Sequence, residues 1–190
     1  MCSIGFWIKF RVLFLNDELK GWSMAVKRMH KIKRLLPGGS IIIRHACEDD
    51  LFVMTALLSE LFTIEPDFSP DVRRQREGLA ALMGKRDATL LVACMQSEIV
   101  GMCTLQPLIS TAEGGVVGIV EDLVVAESFR NAGIGCKLLE AIEKISIEQG
   151  MSRLQLLADQ GNDLADRFYG RLDWECTQLG VMRKLISHSV

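Results

Sequence analysis

The stretch Arg130-Asn131-Ala132-Gly133-Ile134-Gly135 combines residue types and spacing suited to holding an anion. Gly133 and Gly135 remove side chains where a helix begins, so unpaired backbone N–H groups there can be approached closely by a negatively charged group. The helix dipole adds a partial positive charge at that end, and Arg130 and Lys137 add full ones. In outline this is a phosphate cradle, although a tight turn with no ligand explains the two glycines equally well on their own.

A cradle needs an element on each side. Ile119 to Val125 is a short, apolar, β-branched run interrupted only by Glu121 and Asp122, which predicts a strand. From Gly135 onward Leu138, Leu139, Ile142, Ile145 and Ser146 recur at steps of three and four. Lys137, Glu140, Glu143, Lys144 and Glu148 fall elsewhere. The order is therefore strand, glycine-bearing turn, amphipathic helix. A dinucleotide fingerprint would need a third glycine where Leu138 stands, and a nucleotide P-loop would need Ser or Thr after Gly-Lys, which Gly135-Cys136-Lys137 does not supply.

The segment Val120 to Gly135, with Arg130-x-x-Gly133-x-Gly135 after Glu-Asp-Leu-Val-Val, resembles the acetyl-CoA pyrophosphate loop of the Gcn5-related N-acetyltransferase (GNAT) family. About thirty residues on, Asn162-Asp163-Leu164-Ala165-Asp166-Arg167-Phe168-Tyr169 followed by Leu172-Asp173-Trp174 is similar to that family's Asn-x-x-Ala-x-x-Phe-Tyr and Leu-Gly-Phe/Trp signature. The resemblance covers roughly residues 40 to 186. It implies an α/β (α+β) fold with a mixed, mostly antiparallel central sheet, a splayed parallel strand pair and flanking helices.

The resemblance also implies an activity, the transfer of acetyl from acetyl-CoA to a primary amine within a ternary complex. The strand residues Leu123, Val124 and Val125 would meet the pantetheine arm through backbone groups. Arg130, Asn131, Ala132, Gly133, Ile134, Gly135 and Cys136 would hold the pyrophosphate, and Asn162 would touch the cosubstrate from the other side. Transfer needs a neutral amine and a protonated leaving thiolate. Glu121 is the implied general base, with Asp122 beside it as the alternative, since strand neighbours face opposite ways unless a bulge intervenes. Tyr169, the only tyrosine, is the counterpart of the family's general acid; taken alone, a tyrosine on a short helix reads as core. Cys136 reads as an inert first-turn cysteine rather than a nucleophile. Two departures stand out: Asn131 where glycine is frequent, and Asp173 in place of the glycine before Trp174. The alternative reading is a catalytically silent acyl-CoA-binding sensor or interaction module.

Composition sets outer limits. The chain has 190 residues, 49% hydrophobic and 24% charged, which suits one globular domain with a full core. The net charge of −2 hides an asymmetry: residues 1–39 hold eight Lys/Arg against two Asp/Glu, leaving fourteen against twenty-two for the rest. An acidic body disfavours nucleic acid as a partner; the amine acceptor, a small molecule first and a protein N-terminus as the other option, is what the resemblance implies. Six cysteines without a Cys-x-x-Cys pair or clustered histidine argue against a metal site and a disulfide framework, and suit a reducing, cytoplasmic setting. A homodimer is compatible with the resemblance.

Along the chain, residues 1–39 read as an apolar and basic leader outside the fold, with a membrane-surface arm or an upstream-called start as alternatives. The apolar run Ile4 to Leu15 is too short to span a bilayer. The domain is expected from Ser40 to the end. A strand at 40–45 leads to a helix capped by Asp49 or Asp50 with Leu51, Met54, Leu57, Leu58 and Leu61 on one face. A loop around Pro66 and Pro70 and a helix at about 71–83 would form the acceptor lip, where Glu60, Glu65 and Asp67 could attract an amine or simply be solvated. Strands at 89–95 and 99–105 form a hairpin, a loop spans 110–115, and 154–158 adds a strand parallel to the central one. A short helix at 162–171 follows, and Leu179 to Ile186 is expected to close the sheet.

Overall fold

The computed structural model describes residues 40–64, 67–158 and 161–186, so the expected leader at 1–39 lies outside the described residues. The chain divides into two compact units at Leu156/Leu157.

The first unit is built on a five-stranded sheet in the order β1 (Ile41–His45), β2 (Thr89–Met95), β3 (Glu98–Ser110), β4 (Gly115–Val125), β5 (Leu154–Leu156). Pairing is antiparallel from β1 through β4, and β4–β5 is parallel. Three helices accompany it, α1 (Leu51–Ile64), α2 (Val72–Met83) and α3 (Ile134–Glu148). Almost every residue of β2 and of the first half of β3 is buried, which requires cover on both faces. Helix α1 packs on β3 and β4 while α3 packs across β1 to β4. Met54, Leu57 and Leu58 of α1 and Ile134, Leu138, Leu139 and Ile142 of α3 enter the core, as the spacing predicts.

Several boundaries differ from expectation for physical reasons. Strand β3 runs five residues past Leu105 despite Pro107, and β4 starts at Gly115 rather than Ile119. Pro107 lies opposite Gly118, whose N–H donates instead to Arg153's carbonyl on the β5 side (2.8 Å), so that row asks no N–H of the proline. The loop expected at 110–115 shrinks to a turn at 111–114, with Gly114 at φ 68°. A Cβ on Gly118 would lie 2.5 Å from Leu154 Cδ2, 2.7 Å from Leu105 Cδ1 and 2.9 Å from Met151 Sδ, so glycine is what lets β5 close on β4. Between β2 and β3, Gln96 and Ser97 take φ of 51° and 68°, the two left-handed positions of a tight hairpin turn.

Helix α1 is entered through a single 3-10 turn, Glu48–Asp50. Asp50 caps by reaching back: its Oδ2 accepts from the Cys47 N–H (2.8 Å). The same carboxylate accepts two bonds from Arg44 of β1 (Nη1–Oδ2 2.6 Å, Nη2–Oδ1 2.9 Å). The guanidinium's hydrogen bonds hold the buried Asp50 carboxyl down to about 2, against the opposing effect of burial. On α2, Asp71 caps by accepting from the Arg74 N–H (3.1 Å).

The second unit contains α4 (Asp163–Gly170). Asn162 caps it, its Oδ1 accepting from the Ala165 N–H (3.1 Å). The strand expected over 179–186 does not form: these residues have no strand partner among the described residues, and Leu179, Val181, Met182, Leu185 and Ile186 are exposed.

Candidate functional site

The strand–turn–helix around residue 130 is formed as expected, and its geometry follows from local residue types. After β4, Ala126 donates its N–H to Val100's carbonyl (2.9 Å), and a 3-10 turn, Glu127–Phe129, buries Phe129. Arg130's N–H donates to Glu127's carbonyl (3.3 Å). Asn131 then takes φ 62° and Gly133 φ 78°, left-handed conformations that asparagine tolerates and glycine adopts freely. Nothing lies within 4 Å of a Cβ built on Gly133; its backbone angle, not crowding, calls for glycine.

The N–H groups of Asn131, Ala132, Gly133, Ile134, Gly135 and Cys136 donate to no acceptor among the described residues, and the first bond of α3 to close runs from the Lys137 N–H to Gly133's carbonyl (3.2 Å). Six such donors in sequence stand at the positive end of a fifteen-residue helix, an arrangement whose charge suits an anion. Gly101 of β3 seats this end. A Cβ there would lie 3.0 Å from Val124's carbonyl oxygen and 3.3 Å from Ile134 Cγ2.

Strand β4 supplies the second component. Its pairing with β5 covers only Gly118, Ile119 and Val120, while its pairing with β3 continues to Val125. From Glu121 onward β4 is paired on one side only among the described residues. The β3–β4 register also shifts: Thr104 faces Glu121 and Met102 faces Val124, so Asp122 and Leu123 share the place opposite Cys103. Asp122 sits at φ 54°. This bulge is the circumstance in which adjacent strand residues need not face opposite ways.

The two acids have different surroundings. Glu121 is exposed, and its Oε2 accepts from the Gln106 side-chain amide (3.1 Å). Asp122 is half-buried, with its Oδ2 3.2 Å from the Thr104 hydroxyl, which also lies 3.0 Å from Glu121's carbonyl oxygen. Beneath them Cys103 is fully buried. Burial, and then the negative charge of Asp122, push its thiol up to about 12, so it stays protonated and inert. Cys136 is half-buried in the first turn of α3, and all five described cysteines are free. No group of three metal-ligating side chains occurs among the described residues.

One expected placement moves. Glu60, read with the acceptor lip, instead reaches the turn before the cradle: its Oε1 accepts from the Glu127 N–H (2.8 Å) and from Arg130 Nη2 (2.9 Å). Arg130 Nε donates to Val125's carbonyl (3.0 Å), so that carbonyl already carries one bond. Glu65 lies outside the described residues, and Asp67 is exposed.

In the second unit Tyr169 is half-buried, its ring 5.1 Å from Phe168 and 5.9 Å from Trp174 between centroids. Asp173 takes φ 60°, filling in left-handed form the place where glycine was expected, and the Trp174 N–H reaches Tyr169's carbonyl (3.2 Å). The turn survives the substitution.

The fold is a mixed sheet with a short parallel pair, flanked by helices. The model of the acetyltransferase (GNAT) family matches residues 51–174. The chain belongs to that family. It is 29% identical over 129 residues to the aminoalkylphosphonate N-acetyltransferase of Salmonella typhimurium, covering 68% of this chain and 81% of that one. Among solved structures, a possible acetyltransferase from Clostridium difficile superposes with a TM-score of 0.70 at 20% identity over 78% of this chain and 99% of that one. An aminoglycoside acetyltransferase from an uncultured soil metagenomic sample, in complex with sisomicin, gives a TM-score of 0.62 at 22% identity over 78% of this chain and 97% of that one. No helix among the described residues is long and apolar enough to cross a membrane.

Proposed function

We propose that this member of the acetyltransferase family is a cytoplasmic N-acetyltransferase that moves the acetyl group of acetyl-CoA to a primary amine on a small molecule, directly and within a ternary complex. The observation that carries this is the run of six N–H groups from Asn131 to Cys136 that find no acceptor among the described residues, at the start of α3, beside a stretch of β4 that among the same residues is paired on one side only. The donors fit a pyrophosphate: they are consecutive and backbone-borne, and they sit at a helix N-terminus. The half-paired strand at Leu123, Val124 and Val125 fits an amide-bearing arm that would add to it as a strand does.

Acetyl-CoA supplies the activated acetyl thioester; the chain supplies position and proton transfer. Glu121, solvent-accessible and oriented by Gln106, serves as general base, accepting the amine's proton directly or through a water. Its neighbour Asp122, committed to the Thr104 side and the bulge, is the less suited of the two. Tyr169 donates the proton that the departing thiolate needs, and Asn162 adds a contact to the cosubstrate. Cys103, buried and held protonated, is no nucleophile, which favours direct transfer over an acyl-cysteine route at that position. The named relatives direct the acceptor search to amines that carry further polar groups, aminoalkylphosphonates and aminoglycosides first.

Calorimetric titration of acetyl-CoA into the purified protein, followed by thiol release with a panel of such amines, tests the proposal. Micromolar binding with release for one amine class is expected. Binding without release for any amine would move the protein to the acyl-CoA-binding modules, and absence of binding would overturn the cradle.

A further inference from the structure

Glu60 has no part in the proton transfers above, yet it makes the longest-range side-chain bonds of the cradle region. It lies near the end of α1, and a single oxygen, Oε1, accepts both the Glu127 N–H (2.8 Å) and Arg130 Nη2 (2.9 Å). Arg130 closes the arrangement by donating from Nε to Val125's carbonyl (3.0 Å). The last residue of β4, both ends of the 3-10 turn and α1 are thereby tied together just ahead of Asn131, the first of the left-handed residues.

The energetics separate a positioning role from a stabilising one. Glu60 and Arg130 are each about a third exposed (33% and 39%), and an ion pair so open to water adds little to folding stability. A bare carboxylate beside an anion site would also repel the ligand. Here the guanidinium neutralises that charge, and in doing so is itself held to the strand and helix, so Arg130 acts as a strut and the phosphate-facing donors are the backbone N–H groups beyond it. What the pair fixes is the direction in which the chain enters the cradle.

We propose that Glu60 is a positioning residue for the acetyl-CoA site, setting the conformation of the turn 127–130 and through it the alignment of the N–H groups from Asn131 to Cys136. This rests on the reading of those groups as the acetyl-CoA cradle. Three predictions separate it from a general structural effect. Glu60→Ala, which removes both bonds to Oε1, weakens acetyl-CoA binding about tenfold, in the range for charge-assisted hydrogen bonds discounted for exposure. It raises KM for acetyl-CoA with kcat at saturating donor nearly unchanged, and leaves the melting temperature within a few degrees. Glu60→Gln, which keeps an acceptor oxygen at the same reach, recovers most of the affinity.

The experiment is acetyl-CoA calorimetry on wild type, Glu60→Ala, Glu60→Gln, Arg130→Ala and the Glu60→Ala/Arg130→Ala double variant, with a thermal melt of each. The double variant is expected to bind no more weakly than the weaker single one, because both changes release the same turn. Wild-type binding with an equal affinity for Glu60→Ala would overturn the positioning role and leave the acetyl-CoA reading standing, as would strictly additive losses in the double variant. No binding by the wild type would overturn both. If Glu60→Ala alone fails to fold, comparison of the double variant with Arg130→Ala decides: a further loss of affinity in the double counts against the proposal.

Discussion

Gln106 and Glu121 meet across the β3–β4 ladder, the amide Nε2 lying 3.1 Å from the carboxylate Oε2, one residue pair beyond the last row in which β4 also pairs with β5. The contact gives an exposed carboxylate a preferred direction at the point where the sheet opens. If Glu121 accepts the amine's proton, Glu121→Gln should lower kcat by about a hundred- to ten-thousandfold, the usual range for losing an acid–base group, with the acetyl-CoA dissociation constant unchanged. Gln106→Ala should cost less, about two- to tenfold, because it removes orientation and leaves the base. Steady-state kinetics beside calorimetry check both, and an unimpaired Glu121→Gln would pass the role to Asp122.

Tyr169 offers a second, independent test. Its backbone carbonyl and ring are built into the α4 turn, through the Leu172 and Trp174 N–H groups and the Phe168 and Trp174 rings. Phenylalanine keeps those contacts and removes only the hydroxyl. Tyr169→Phe should therefore bind acetyl-CoA normally while turnover falls by about a hundred- to ten-thousandfold, and a thermal melt of the variant separates that loss from any effect on folding. Unchanged turnover would remove Tyr169 from the mechanism.

What could be read from the sequence was whatever depends on neighbours in the chain. The turn and helix after residue 130 were legible because Asn131 and Gly133 announce left-handed backbone and the period of Leu138, Leu139 and Ile142 announces the helix beyond. The bulge at Asp122 was not, because it is a property of register: Cys103 faces two residues, and no local pattern in either strand encodes that. Glu60's bonds to the turn at 127–130 were not legible for the same reason, since its partner lies seventy residues away. Strand β3 continues past the expected 105 through Pro107, because a missing N–H counts only if the row requires it, and Gly118 turns its own N–H the other way. At Leu179 to Ile186 a closing strand was expected, but a strand also needs a paired neighbour, and none is described.

Gly101 tests how tightly the cradle is seated. The Val124 carbonyl that an added Cβ would meet at 3.0 Å is backbone in a paired strand and cannot turn aside, so Gly101→Ala must shift β3 against β4 or push Ile134 outward. Ile134 carries one of the six N–H groups. A destabilisation of about 1–3 kcal/mol is expected, as for overpacked cores, together with weaker acetyl-CoA binding. Gly78→Ala, with open space around its Cβ in the exposed interior of α2, is the control: it should leave acetyl-CoA binding unchanged and, by helix propensity, raise stability slightly, by about 0.5–1 kcal/mol.

The Arg44–Asp50 pair predicts a response to acid. Asp50 is held at about 2, below its ordinary 3.8, first by the Arg44 hydrogen bonds and then by the Cys47 N–H. A depressed carboxyl contributes stability that is present above pH 4 and lost as pH falls from there through 2. Because Asp50 is buried but the Arg44 side chain is 42% exposed, the contribution is about 1–2 kcal/mol rather than the full value of the shift. Denaturant titrations from pH 6 to pH 2 should show this component of the stability disappearing across that window. Asp50→Asn should lose it at every pH, because the asparagine amide keeps at most one acceptor for the Arg44 fork and the Cys47 N–H and carries no charge. The variant would then be less stable than wild type at pH 6 by about that amount and nearly equal to it at pH 2; a wild-type difference that persists undiminished at pH 2 would show that Asp50 acts through packing and not through its charge.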